Sequence, residues 1–225
     1  MGKMLIFLLC ILLLVPISAS AAEQPKYIAL TFEGELAPLE LRELLAGLDR
    51  RGIRATFFLG SEQLAENPDL GQQILHRGHE VGVRAAGRRE GKLLSRREIA
   101  GEIAWIRGQL PETCRLRFLR PGEDCTDALE QVAGAFDLAI GDWSLDPAAA
   151  DRDSSPLGAG FSARVRDGDV LRISLRPGNC RWALNMSELL KKEGFTPVTL
   201  SELARLRGIR LHPGQHYRSF PPGAG

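Results

Sequence analysis

The sequence has almost no net charge and contains only four cysteines and four histidines, and these low numbers exclude some classes of function. The 225 residues carry 29 Lys and Arg against 28 Asp and Glu, so no global basic field attracts nucleic acid. The four cysteines have no spacing typical of a zinc motif. We therefore predict no nucleic-acid partner and no zinc module built on the cysteines.

The long apolar run that the chain does have lies at its N-terminus. "MLIFLLCILLLVPI" follows Lys3 and is followed by "SASAA", with an A-x-A cleavage pattern at Ala19, Ser20 and Ala21. The alternative is a membrane anchor, but a run of about 14 residues is shorter than the roughly 20 that cross a bilayer. We therefore expect a signal peptide over residues 1–21, a secreted or periplasmic mature protein, and no stable membrane anchor.

The mature chain is electrically balanced and has few thiols. Removing the leader takes away Lys3 and no acid, which leaves 28 basic and 28 acidic residues. Three cysteines remain, Cys114, Cys125 and Cys180, in a compartment that permits disulfides. We expect a Cys114–Cys125 bridge, at least one unpaired cysteine, and no catalytic cysteine.

Strand-like and helix-like segments alternate about seven times over residues 22–207, which we take as one domain. "KYIALTF" and "DVLRISL" are typical of buried strands, whereas "APLELRELLAGLDRRG" has apolar residues at helical spacing. Such alternation favours a parallel sheet wrapped by helices, and a closed barrel and an open doubly wound sheet both fit it. Ser95 with Glu98, and Thr126, are expected to cap two helices.

The last segment, residues 208–225, is rich in Pro and Gly and has no core pattern. We interpret it as a tail outside the domain. His212 and His216 have the spacing of two helical metal ligands, but Pro213 and Gly214 between them exclude a helix. We expect both histidines to be ordinary loop residues.

Polar side chains gather where the predicted strands end. Ligands bind beyond the carboxyl ends of parallel strands in barrels and in open sheets alike, so these side chains are candidates for one site. In chain order they are Glu33, Glu35, Arg84, Arg88, Arg120, Glu123, Asp142, Trp143, Asp146, Ser174 and Arg176.

The same blocks, in the same order, resemble the polysaccharide deacetylase family (the NodB-homology domain, carbohydrate esterase family 4). "IALTFEGE" is similar to the family's "ALTFDDGP", "ILHRGHEVGVRAAGR" to "ERGHEIGNHTWSH", "RFLRPGE" to "FFRPPYG" and "GDVLRISLRPG" to "GSIILLHDG". The resemblance runs from Tyr27 to about Leu203. It implies an α/β fold, a distorted (β/α)7-type barrel, and hydrolysis of acetyl groups from amino sugars with a divalent metal such as zinc.

The residues that carry the family's chemistry are the ones that differ here. By the resemblance, the catalytic-base aspartate falls on Glu33 and the metal-binding aspartate on Gly34. A one-residue deletion would instead bring Glu33 to the metal position and leave no base. The metal-binding histidines fall on Arg84 and Arg88, and the general-acid histidine on Ser174.

Other family positions are kept. Arg120, which in the family braces the base, is present, and so are Trp143 and Asp146, which help to wall the sugar pocket.

These replacements remove the means of activating water. Bound zinc lowers the pKa of water from about 15.7 to about 7, which at about 1.36 kcal/mol per unit is on the order of 10 kcal/mol. Arginine cannot coordinate a cation or act as a base. We therefore predict no bound metal cofactor, with Glu33 as the one candidate base.

Two hypotheses account for Arg84 and Arg88. They neutralise Glu33, Glu35 and Asp146 in place of the missing cation, because a buried acid cluster needs a positive partner. Alternatively they bind an anionic group of a glycan, since guanidinium matches carboxylate and phosphate geometry. Trp143 would then offer a flat face to a sugar ring.

The sequence thus predicts an exported, deacetylase-like protein that binds an N-acetylated or anionic glycan of the cell envelope, or an extracellular polysaccharide, without metal-dependent activity. The main alternative is an active deacetylase of amino-sugar polymers that uses Glu33 as base and Arg120 as its partner. A third hypothesis is a protein-interaction domain that binds no glycan.

Overall fold

The computed structural model describes residues 24–35, 37–122, 124–147 and 159–223. The predicted signal peptide and Glu123 lie outside these ranges. Among the helices described, none has the length and apolar character needed to cross a bilayer.

Strands and helices alternate along the chain, as predicted. The strands are β1 (Lys26–Gly34), β2 (Thr56–Leu59), β3 (Glu80–Ala85), β4 (Arg88–Arg89), β5 (Lys92–Leu93), β6 (Phe118–Pro121), β7 (Ala139–Gly141), β8 (Val170–Leu175), β9 (Phe195–Val198) and β10 (His216–Tyr217). The helices are α1 (Pro38–Arg50), α2 (Ser61–Glu66), α3 (Leu70–His76), α4 (Arg96–Gln109), α5 (Asp127–Ala135), α6 (Ala159–Ser162), α7 (Cys180–Lys192) and α8 (Leu200–Leu206).

The main sheet is parallel and curls into a distorted barrel. Its strand order is β10-β7-β6-β3-β2-β1-β8, with β9 paired to the start of β1. The segment after β7 returns to β8 through a bridge between Leu145 and Leu171. The sequence left the barrel and the open sheet as alternatives, and the curled sheet confirms the deacetylase-like barrel.

Two apolar clusters occupy the two faces of the sheet. The buried side chains of α1, α3, α4, α5 and α7 join Ile28, Leu30 and Phe32 of β1 in the larger cluster. The smaller cluster holds Ala29 of β1 with Phe58 and Phe118, and α8 contributes to it. Successive side chains of a strand point to opposite faces. Thr31 and Glu33 therefore share the face of Ala29, inside the curl.

Local signals in the sequence set several element boundaries. Ser95 and Glu98 form the expected capping box on α4, and the Thr126 hydroxyl accepts a hydrogen bond at the start of α5. The stretch at residues 61–78 forms two helices, α2 and α3. They are separated around Pro68, a residue that cannot continue a helix.

The segment after residue 207 is part of the fold, contrary to the prediction of a separate tail. Strand β10 pairs with β7, and Phe220 is fully buried in the smaller cluster. Gly168 has φ +91°, and a Cβ there would lie 2.1 Å from the carbonyl oxygen of Phe220. The close approach of the two backbones anchors this segment, although its sequence has no repeating apolar pattern.

The prediction of a Cys114–Cys125 disulfide is wrong. Cys114, Cys125 and Cys180 are all free thiols. Cys114 packs against the larger cluster, whereas Cys125 is exposed beside the start of α5. The two thiols therefore have different surroundings.

Candidate functional site

Glu33 lies at the carboxyl end of β1, inside the curl of the sheet. Its side chain is 7% exposed, and its Oε1 accepts a 2.6 Å hydrogen bond from Nε of Arg172 on β8. Thr31 is in register with Arg172 and Glu33 with Ser174, so Glu33 and Arg172 are diagonal neighbours on adjacent strands. The register of β1 and β8 thus gives the buried carboxylate a positive partner.

Arg120 supplies a second positive charge from β6. It is fully buried, and its guanidinium donates to the Thr31 hydroxyl at 2.7 Å and to the carbonyl oxygens of Gly141 and Asp142 at 2.8 and 3.0 Å. Burial lowers the pKa of Arg120 to about 10, while the neighbouring Glu33 carboxylate opposes that shift. Arg120 therefore stays charged near neutral pH and is held in one orientation.

One oxygen of Glu33 is left without a hydrogen bond. Oε2 is buried and lies 3.6 Å from Nη1 of Arg120, and no hydrogen-bond partner exists for it among the described residues. A cavity of about 80 Å³ is lined by Glu33 together with Phe57, Gln63 and other mainly apolar residues. Glu33 thus combines one fixed oxygen with one that can accept a further hydrogen bond.

Trp143 and Asp146 lie beside the same arginines, on the segment that joins β7 to β8. The guanidinium of Arg172 lies 4.4 Å from the Trp143 ring centre, and that of Arg120 lies 5.4 Å from it. Nη1 of Arg172 is 3.7 Å from Oδ2 of Asp146. Arg172 therefore joins the group through ion pairs with Glu33 and Asp146 and a cation–π contact with Trp143. The sequence predicted the other members of the group but not Arg172.

Arg84 and Arg88 do not neutralise the acids as one hypothesis expected. Arg84 is in register with Arg120 but exposed, and it has no ion pair or hydrogen bond from its side chain within the described chain. Arg88 pairs with Asp124 at 3.2 Å and donates to the carbonyl of Gly91. The charge of Glu33 is balanced by Arg120 and Arg172 instead.

The other rim residues contribute less to this group. Glu35 and Arg176 are exposed, and Ser174 is half-buried, with its carbonyl oxygen accepting from Nδ2 of Asn179. A signal for Arg172 was present in the sequence, because it precedes Ser174 by two positions and so shares its face of the strand. The family pattern drew attention to position 174 alone.

A match to a family model shows which family this chain belongs to. The polysaccharide deacetylase family model matches residues 20–137, more than half of the chain. The chain belongs to the polysaccharide deacetylase family.

Curated relatives agree with this assignment. The chain is 24% identical over 213 residues to a bifunctional xylanase/deacetylase of Pseudobutyrivibrio xylanivorans, a match that covers 89% of this chain and 34% of that protein. It is 26% identical over 203 residues to a peptidoglycan-N-acetylglucosamine deacetylase of Bacillus cereus, covering 81% and 90% respectively. The chain thus spans about a third of the first relative and most of the second.

Solved structures show the same fold. The Xyl-CE4 domain of a multidomain xylanase from the hindgut metagenome of Trinervitermes trinervoides has TM-score 0.72 and 20% identity, covering 87% of this chain and 98% of that one. A Clostridium thermocellum family 4 acetyl xylan esterase in complex with cobalt has TM-score 0.71 and 22% identity, covering 87% and 100%. A wild-type CE4 pseudoenzyme of Bacillus anthracis has TM-score 0.68 and 21% identity, covering 87% and 70%.

The mouth of this polysaccharide deacetylase barrel does not fit the divalent metal that the family resemblance implies. Gly34, one of the two positions that the resemblance offers for the metal-binding aspartate, has φ +97°, and a Cβ there would lie 2.4 Å from the carbonyl oxygen of Leu175. No carboxylate side chain can be accommodated at that position without moving the backbone. At the two histidine positions stand Arg84 and Arg88, which have no lone pair for a cation.

Proposed function

We propose that this member of the family is an exported glycan-binding protein of the cell envelope without metal-dependent deacetylase activity. The observation that carries the loss of metal chemistry is Gly34, because its backbone conformation and its contact with Leu175 leave no room for a carboxylate side chain at that position. The Bacillus anthracis protein of the same fold, described as a CE4 family pseudoenzyme, is a precedent for this fold in a protein that is not an active enzyme.

Arg84 is the residue best placed to recognise an anionic group. Its guanidinium is exposed and lacks an internal ion pair in the described chain, while the buried Arg120 is its register partner on the next strand. Arg172, which is 30% exposed, adds a third positive charge at the mouth. A uronic acid, the lactyl group of muramic acid or a teichoic phosphate would offer the bidentate acceptor that guanidinium prefers.

A second candidate function is deacetylation without the family's metal. It is favoured by one observation, the buried Oε2 of Glu33, which has no hydrogen-bond partner among the described residues and lies near Arg120. Such a mechanism would have to do without the water activation that bound zinc supplies, on the order of 10 kcal/mol. The binding function is therefore the better supported of the two.

Binding and hydrolysis can be measured separately on the same protein. Retention on purified peptidoglycan is expected for the wild type and is expected to fall about tenfold or more in Arg84→Ala. Arg97→Ala, an exposed arginine on α4, should bind as the wild type does. Absence of retention in the wild type, or equal binding by both variants, would contradict the anionic-glycan proposal and favour a protein-interaction domain.

Acetate release from an N-acetylated oligosaccharide tests the second candidate. We expect no release above buffer, with or without added Zn²⁺ or Co²⁺. Release that is lost in Glu33→Gln would establish the active alternative and overturn the proposal. Export is tested by the N-terminal sequence of the protein recovered outside the cytoplasm, which should begin at Ala22.

A further inference from the structure

Three side chains that could bind a metal meet beside β10, outside the mouth around Glu33. They are Cys125, just before the N-cap of α5, Glu130 within α5, and His216 on β10. Nε2 of His216 lies 3.1 Å from Oε1 of Glu130 and 3.8 Å from Sγ of Cys125, and Sγ lies 3.7 Å from the same Oε1. All three groups are at least partly exposed, so solvent can reach them.

These separations match those between ligands of one tetrahedral ion. Zinc–ligand bonds of about 2.3 Å to sulfur and about 2.0–2.1 Å to nitrogen and oxygen place tetrahedral ligand atoms about 3.3–3.6 Å apart. The three observed distances fall within about 0.3 Å of that range. Little side-chain movement is therefore needed for the three atoms to share an ion.

The histidine is oriented for this role by a second carboxylate. Nδ1 of His216 is 2.8 Å from Oδ2 of Asp142, which leaves Nε2 facing Cys125 and Glu130. A metal-binding histidine usually donates its other ring N–H to a carboxylate in this way. The backbone fixes Asp142, since its N–H donates to the Tyr217 carbonyl and its own carbonyl accepts from Arg120.

We propose that Cys125, Glu130 and His216 bind a divalent transition-metal ion of the zinc type, with Asp142 positioning the histidine. A thiolate and a carboxylate balance the charge of the ion, and the imidazole binds as the neutral form. The thiol proton of Cys125 passes to solvent when the ion binds. The fourth coordination position is open to water or to an anionic ligand.

The same atoms do not fit a cysteine nucleophile, although Cys125, His216 and Asp142 follow each other as in a hydrolase triad. Oε1 of Glu130 lies against the Nε2 that would have to accept the thiol proton. A cation in the cluster removes this conflict, because it neutralises both the thiolate and the carboxylate.

The proposal predicts one tight site per chain in a titration of the reduced protein with Zn²⁺ against a chelator. With Co²⁺, a thiolate-to-cobalt charge-transfer band should appear. Cys125→Ser and His216→Gln should each weaken Zn²⁺ binding at least 100-fold and remove that band. Asp142→Asn should weaken binding about 10- to 100-fold, as loss of an orienting carboxylate does.

Matched controls separate this site from the mouth of the barrel and from the proposed glycan binding. Cys114→Ser, His212→Gln and Glu33→Gln should bind Zn²⁺ as the wild type does, and circular dichroism checks that each variant is folded. No Zn²⁺ binding, wild-type binding by folded Cys125→Ser and His216→Gln, or loss of binding in Glu33→Gln would overturn the proposal. Retention on peptidoglycan, which depends on Arg84, is a separate measurement and can succeed or fail independently.

Discussion

Arg172 of β8 donates a 2.6 Å hydrogen bond to Glu33 of β1, which lies 139 residues earlier in the sequence. The pair joins the last part of β1 to the middle of β8, and Arg120 approaches the other oxygen of the carboxylate. The positive charge next to this buried acid therefore comes from the protein's own side chains. A carboxylate paired in this way needs no bound cation to be stable in the interior.

Removing Arg172 should destabilise the fold. Arg172→Ala takes away the hydrogen bond to the Glu33 carboxylate, and bonds to charged groups contribute about 1.5–3 kcal/mol. We expect the free energy of unfolding in urea to fall by that amount. Arg84→Ala, at an exposed arginine without an internal partner, should change it by less than about 0.5 kcal/mol. Equal effects of the two substitutions would show that the Glu33–Arg172 pair contributes nothing.

Lysine cannot replace Arg120. Three nitrogens of Arg120 donate in different directions, to Thr31, Gly141 and Asp142, whereas an ammonium group is a single point on a flexible chain. Arg120→Lys leaves at least two buried acceptors unpaired, so we expect a loss of about 3 kcal/mol or more in the free energy of unfolding. Arg115→Lys, exposed just before the same strand, is the control and should be nearly neutral. A stable Arg120→Lys protein would contradict this account.

His79 should make the fold sensitive to acid. Burial lowers its pKa to about 4, an effect that the nearby Asp49 partly opposes, and neither ring nitrogen has a hydrogen-bond partner in the described chain. In the unfolded chain histidine binds a proton near pH 6.5, so the unfolded state gains protons first as the pH falls. Stability is therefore lost between about pH 6.5 and pH 4, by about 3 kcal/mol in total.

His79→Phe is the variant that tests this pH dependence. It keeps an aromatic ring against Phe57 and has no titrating group, so its stability should fall less than that of the wild type over this pH range. His76→Gln, at an exposed histidine, should follow the wild-type curve. Urea unfolding at a series of pH values measures the difference, and parallel curves for His79→Phe and the wild type would exclude His79 as the cause.

Local sequence determined the elements and the residues that face inward. The apolar run "KYIALTF" indicated the buried strand β1, and the Ser95–Glu98 capping box indicated the start of α4. Such signals depend on neighbours within a few positions, which is why they can be recognised from one sequence. The ends of the predicted strands made Glu33, Arg120, Trp143 and Asp146 candidates, and the family resemblance added the barrel and the roles expected of these residues.

The tertiary structure decided which of these side chains meet. Strand register placed Arg172 beside Glu33 and kept Arg84 exposed, and Arg88 paired with Asp124 instead. In the sequence, Arg84 and Arg88 follow a predicted strand, whereas Arg172 lies within one. The tertiary structure also brought His216 to Cys125, 91 residues away, by pairing β10 with β7. Contacts between distant segments depend on strand pairing and on close backbone approaches such as that at Gly168, and no local pattern in the sequence encodes them.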